Sequence, residues 1–95
     1  MVEKVLKENQ IIHFLTTGKK DTKAWQIKSG STAVESAQKI HSDISRGFIR
    51  AEVIHYSELL ESGGFVEAKK RGILRTEGKN YIVKNGDVIN FLFSV

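Results

Sequence analysis

Apolar and polar positions change their spacing several times along the chain, and each change marks an element. Residues 1–9 place Val2, Val5 and Leu6 at helical spacing among charges, which predicts a lead-in helix too short to be stable alone. Residues 11–17 are apolar and β-branched and predict a strand. Gly18-Lys19-Lys20-Asp21 predicts a turn, and the alternation of Ala24-Trp25-Gln26-Ile27-Lys28 predicts the second strand of a hairpin. Ser31 or Thr32 can cap the following helix, and Thr32 with Glu35 has the spacing of a capping box. Ala33, Val34, Ala37 and Ile40 supply that helix with one apolar face, which ends near His41. After Gly47, residues 48–56 alternate as a strand, with Arg50, Glu52 and Ile54 on one side and Ile49, Ala51, Val53 and His55 on the other. Ser57 is expected to cap a short helix over 58–62 that stops at Gly63-Gly64, and a further helical turn or two covers 65–71 before Gly72. Residues 80–84 and 88–95 read as two strands of a hairpin joined by Asn85-Gly86-Asp87, because Asn-Gly accepts positive φ. Ile89, Phe91, Phe93 and Val95 then share one apolar face.

The order is hairpin, helix, strand, short helices, hairpin. It predicts an α+β domain of β-grasp (ubiquitin-like) type, a mixed sheet of about five strands packed on one main helix plus short helices. Another small α+β sandwich is the alternative. The apolar strand faces need a partner layer, so the helix must cover one side of the sheet.

Composition narrows the class. At 95 residues the chain holds one domain and one modest core. Its 40% hydrophobic and 27% charged residues are ordinary globular values. With no Cys, disulfides, thiolate nucleophiles and cysteine metal sites are excluded. No apolar run approaches the roughly 20 residues that cross a bilayer, and the start lacks a secretory signal. A soluble, cytoplasmic protein with no membrane partner is expected.

Charge matters by its placement more than by its total of +4. Lys19, Lys20, Lys23 and Lys28 cluster around the first hairpin, and Lys69, Lys70, Arg71, Arg75 and Lys79 along 66–79, whereas 52–62 is acidic. A basic run is either a solvated face or a phosphate-contacting one.

Catalytic chemistry is not signalled. His41-Ser42-Asp43 holds the residue types of a hydrolase triad, but adjacent residues do not converge in that way and no nucleophile elbow is present. A helix-terminal turn, with Ser42 or Asp43 bonded to local backbone, accounts for it. His13, His41 and His55 lack metal-ligand spacing, and no P-loop or dinucleotide fingerprint occurs. Neither a metal nor another cofactor is expected. Trp25 is read as a core side chain rather than a base-stacking platform. The end, Phe93-Ser94-Val95, is not the Gly-Gly of ubiquitin-type modifiers, so conjugation is not expected.

Three blocks together carry a resemblance. They are Phe14-Leu15-Thr16-Thr17-Gly18 with Lys23-Ala24-Trp25, then Ile40-His41-Ser42-Asp43-Ile44-Ser45-Arg46-Gly47-Phe48-Ile49-Arg50-Ala51-Glu52-Val53, then Glu77-Gly78-Lys79-Asn80-Tyr81-Ile82-Val83 with Asn85-Gly86-Asp87-Val88-Ile89. They resemble the C-terminal TGS domain of the YchF/Obg-like ATPases, over about 10–95. Lys23, Asn80 and Asn85 depart from the Arg, Asp and Asp usual there, none in a way that threatens the fold. The resemblance implies a β-grasp domain, with 1–9 as the end of a preceding region. It also implies a longer parent, with a P-loop G domain and a coiled-coil insert, that hydrolyses ATP or GTP and associates with ribosomes. This chain is then a non-catalytic module.

Two functions follow as expectations. The first is contact with RNA or the ribosome through Lys19, Lys20, Lys23, Arg46 and Arg50, with Lys69, Lys70 and Arg71 as a second patch neutralising phosphates. Arg46 and Arg50 have a rival role, pairing with Asp43 or Glu52. The second is docking on the parent's G domain or a protein partner through Phe48, Ile49 and Glu52. Nucleotide sensing rests on analogy with other TGS-containing proteins alone.

Overall fold

The computed structural model describes residues 10–17 and 22–94. The expected lead-in helix over 1–9, the turn over 18–21 and Val95 lie outside the described residues. Five strands, β1 (Ile11–Thr17), β2 (Thr22–Lys28), β3 (Phe48–His55), β4 (Arg75–Glu77) and β5 (Asp87–Phe93), form one sheet in the order β2-β1-β5-β3-β4. β1 pairs antiparallel with β2 and parallel with β5, and β3 pairs antiparallel with both β5 and β4. The helices are α1 (Ala33–Ile40), α2 (Ser42–Arg46), α3 (Tyr56–Ser62) and α4 (Phe65–Lys70). This is the expected α+β, β-grasp arrangement.

α1 begins with the predicted capping box. Glu35 N donates to Thr32 Oγ1 (3.3 Å), and Thr32 N donates to Glu35 Oε1 (2.9 Å). The bonds from the Thr32 backbone and hydroxyl hold the Glu35 carboxyl below its ordinary value. Ala33, Ser36 and Ala37 face inward and are fully buried. Small side chains at this i, i+3, i+4 spacing let the helix lie close to the sheet. Beneath it Ile12, Phe14, Ile27, Ala51, Val53, Ile89 and Phe91 form the main core. The Phe14 and Phe91 rings meet edge to face at 6.2 Å, and Phe48 meets Phe91 at 6.1 Å. Trp25 packs partly buried against this core and donates from Nε1 to Thr16 Oγ1 (2.9 Å).

The opposite sheet face carries a smaller core, in which Ile54, Val88 and the partly buried Leu15 meet Ala68 of α4 and Leu59 of α3. β5 therefore buries neighbouring residues, Val88 and Ile89, on its two faces.

Three local expectations are corrected. First, residues 80–84 do not pair with β5. Both edges of β5 are already taken by β1 and β3, so the segment crosses to the start of α1. There Ala33 N donates to Tyr81 O (2.8 Å) and Val83 N to Ser31 O (3.0 Å). The Asn-Gly turn itself forms, with Gly86 at φ +89° and Asp87 N donating to Lys84 O (3.0 Å). β4, unforeseen in the sequence, supplies the fifth strand. Second, Phe48 belongs to the main core and Ile49 is 53% exposed, the reverse of strict alternation. A register irregularity between Phe48 and Arg50 turns the first residue inward. Third, His55, not Ser57, caps α3, its Nδ1 accepting from Ser57 N (3.2 Å). The strand runs straight into the helix, which leaves His55 as the last extended residue.

Gly47 allows the chain to close against the end of β5. Ser94 N donates to Gly47 O (2.9 Å), and a Cβ at Gly47 would lie 1.9 Å from Ser94 O. Gly47→Ala is expected to destabilise the domain by about 2 kcal/mol or more through forced displacement of β5's end. Urea unfolding checks this, with Thr32→Ala as a comparison expected to cost about 1 kcal/mol.

Candidate nucleic-acid interface

The register assigns each basic residue to a layer. Arg50 lies opposite Leu92, on the face of Ile54 and Val88, and is exposed. Lys69, on α4, reaches the same face, where its Nζ sits 3.6 Å from Glu52 Oε2. Glu52 is 12% exposed and also accepts from Asn90 Nδ2 (3.1 Å). Lys70 pairs with Glu67 (3.8 Å) one turn back, and Arg71 is the exposed C-cap of α4. Arg46 ends α2 and pairs with Asp43. Lys23 lies opposite Thr16 on the α1 side of the sheet and is exposed. Lys19 and Lys20 lie outside the described residues.

The fold thus brings Arg50 and Lys69 to one face and leaves Lys23 and Arg46 on the other layer. Among the described residues Lys23, Arg50 and Arg71 have no carboxylate partner. The pairs of Arg46, Lys69 and Lys70 are solvent-facing at the cation, and exposed pairs of this kind contribute about 0–1 kcal/mol. Of the rival roles, Arg46 takes the pairing with Asp43, whereas Glu52 pairs with Lys69 rather than Arg50. In the docking set Phe48 is buried and Glu52 is occupied, which leaves Ile49 as the exposed apolar member.

The His41-Ser42-Asp43 segment is a helix start. Here it is the His41 ring, rather than Ser42 or Asp43, that bonds the local backbone, Nδ1 accepting from Asp43 N (3.0 Å). Among the described residues no group of three His, Cys, Asp or Glu could hold a metal. No helix among them is long and apolar enough to cross a membrane.

A polar cluster went unread in the sequence. Asp87 is 1% exposed, yet its carboxylate accepts from Tyr81 OH (2.6 Å) and Lys84 N (2.9 Å), with Arg75 Nη2 at 3.7 Å. The Arg75 guanidinium also lies 5.6 Å from the centre of the Tyr81 ring. Each buried oxygen has a partner, so the cluster ties the crossing segment to β5 and β4. Burial, the hydrogen bond to Asp87 and that carboxylate's charge push the Tyr81 hydroxyl up to about 12, against the opposing pull of Arg75. Tyr81 and Asp87 stood in the third motif block, but only their convergence reveals what they do.

The family model YchF-GTPase_C, described as "Protein of unknown function (DUF933)", matches residues 11–94. The chain belongs to this family. It is similar to the "Ribosome-binding ATPase YchF" of Buchnera aphidicola subsp. Acyrthosiphon pisum (strain APS), 48% identical over 85 residues, and to that of Bacillus subtilis (strain 168), 50% identical over 82 residues. The alignments cover 90% and 86% of this chain but 24% and 22% of those proteins, so the chain spans about a quarter of their length. The solved structure of the Schizosaccharomyces pombe YchF GTPase is similar at a TM-score of 0.81 and 25% identity, over 96% of this chain and 24% of that one. The three motif blocks pointed to this YchF C-terminal, TGS-type domain.

Replacing Tyr81 by Phe leaves Asp87 buried with one donor fewer and is expected to cost about 1–2 kcal/mol in urea unfolding at neutral pH. The folded-state value of Tyr81 lies above the ordinary 10.0, so its contribution is complete below that pH and falls away as pH rises toward about 12. Stability of the native chain should decline across that window, and Tyr81→Phe should remove this part of the decline.

Proposed function

We propose that this chain is a non-catalytic module of a YchF-type ATPase or GTPase and contacts RNA or the ribosome through cations on the sheet face opposite α1. One observation carries the reading: Arg50 stands exposed on that face without a carboxylate partner among the described residues, with Lys69 beside it on α4. The names of the relatives, ribosome-binding ATPases, supply the class of partner. Lys70 and Arg71 add positive charge at the same helix, Lys23 and Arg46 lie on the other layer, and Lys19 and Lys20 remain candidates by their place in the sequence. Their work is to neutralise phosphates, so binding releases counterions and weakens with salt.

Nucleotide hydrolysis then belongs to the three-quarters of such proteins that this chain does not span. That assignment agrees with the lack of any phosphate-cradling glycine motif in the sequence. The module works in the cytoplasm, where ribosomes are. The exposed Ile49, next to Arg50, favours a second reading in which the same end of the sheet docks on the parent's G domain or on a protein partner. Such docking tolerates salt.

The test is ribosome co-sedimentation of a full-length parent in which Lys19, Lys20 and Arg50 are changed together to Glu. Ribosome-bound protein is expected to fall, and the magnitude of the log–log salt slope to drop by about 0.7–0.9 for each phosphate that is no longer neutralised. Unchanged co-sedimentation defeats the reading. If Ile49→Asp weakens binding while the charge reversals do not, protein docking takes its place.

A further inference from the structure

Away from the Arg50 end of the sheet, β1, the end of β3 and the turn before β5 meet at an open cleft of about 350 Å³. It is lined by His13, Leu15, His55, Tyr56, Asn85 and Gly86. That volume is at the lower end of ligand sites, roughly 300–1,000 Å³. Three of the six lining residues carry flat rings, and all three are exposed.

The cleft is braced by its own backbone. His13 N donates to Asn85 Oδ1 (2.9 Å), Gly86 N to His13 O (2.9 Å) and Tyr56 N to Gly86 O (2.9 Å). His13 and Tyr56 are therefore mounted on a hydrogen-bonded frame, and His55 is held opposite Asp87 in the β3–β5 ladder. Gly86 makes room for the His55 ring, since a Cβ there would lie 2.9 Å from His55 Nε2.

The polar atoms left over are mainly donors. The Ser57 N–H is given to His55 Nδ1, so the neutral ring carries its proton on Nε2. The Asn85 amide nitrogen and the Tyr56 hydroxyl have no partner among the described residues. Lys84 adjoins Asn85 in the chain. Lys28 shares a strand face with Gln26, whose Nε2 lies 3.3 Å from the His13 ring. Both lysines are exposed. Ring faces, donors aimed at an acceptor-bearing edge and flanking cations are what an unpaired base on a phosphate backbone needs.

We infer that this cleft holds an unpaired nucleobase of single-stranded RNA. The base stacks on Tyr56 or an imidazole and presents its carbonyl edge to His55 Nε2–H and the Asn85 amide, while Lys28 and Lys84 meet the adjoining phosphates. The inference rests on the RNA-contact reading for its class of ligand, but it uses a different site. A free nucleotide offers the same base, so the test separates the two sources.

The isotope-labelled 95-residue chain is titrated with hexauridylate, and separately with uridine monophosphate, at about 50 and 200 mM salt. Hexauridylate is expected to shift the ring resonances of His13, His55 and Tyr56. Tyr56→Ala should weaken its binding about tenfold and Tyr56→Phe by less than about twofold. The ring shifts should survive Arg50→Glu, which acts on the other site. Silent rings, or binding unchanged by both Tyr56→Ala and His13→Ala, overturn the cleft. The basic-face reading then stands or falls on co-sedimentation alone. Uridine monophosphate binding as tightly as hexauridylate overturns RNA as the occupant and assigns the cleft to a free nucleotide.

Discussion

β5 is hydrogen-bonded along both edges and covered on both faces, and the rest of the domain is arranged around that fact. β1 lies parallel on one side and β3 antiparallel on the other. Ile89 and Phe91 face α1, and Val88 faces the α3–α4 pair. A strand so enclosed buries apolar surface on both its faces, which the hydrophobic effect rewards at about 25 cal/mol per Å². It also leaves no free edge, so the segment before it has to find hydrogen bonds elsewhere. Those bonds are found at the first turn of α1.

The same enclosure explains the buried Asp87. Where β5 begins, the crossing segment must be fixed against the sheet, and an isolated buried carboxylate is costly. Tyr81 OH and Lys84 N, on the crossing segment, supply the donors, and Arg75 on β4 supplies the countercharge. A cluster of ionisable and hydroxyl groups usually invites a catalytic interpretation. Here every member is used in holding the chain together.

Function falls to what the packing leaves uncovered. α1 takes one face of the sheet, and α3 with α4 covers only part of the other, so Arg50 and Lys69 stand near one end and the ring-lined cleft lies at the opposite end. The two proposed sites are complementary in kind, since a basic face follows phosphates irrespective of sequence and a stacking cleft engages a base.

The elements governed by local rules were legible in the chain itself. The Thr32–Glu35 capping box, the β-branched run of β1, the alternation of β3 from Arg50 onward, and the Asn-Gly turn depend on residues within a few positions of one another, and each formed. Pairing was not legible, because a strand's partner is set by which edges remain open once the sheet assembles. So residues 80–84, strand-like by pattern, were displaced from β5, and the unpromising Arg75–Glu77 became a strand. Phe48 and Ile49 exchanged faces because a register irregularity is a property of two strands together. For the site, residue type and charge were readable along the chain. Only the tertiary structure decided that Arg50 and Lys69 share a face, that Glu52 is already satisfied, and that His13, His55 and Tyr56 surround one cleft, because side chains far apart in sequence converge only when the sheet brings their strands together.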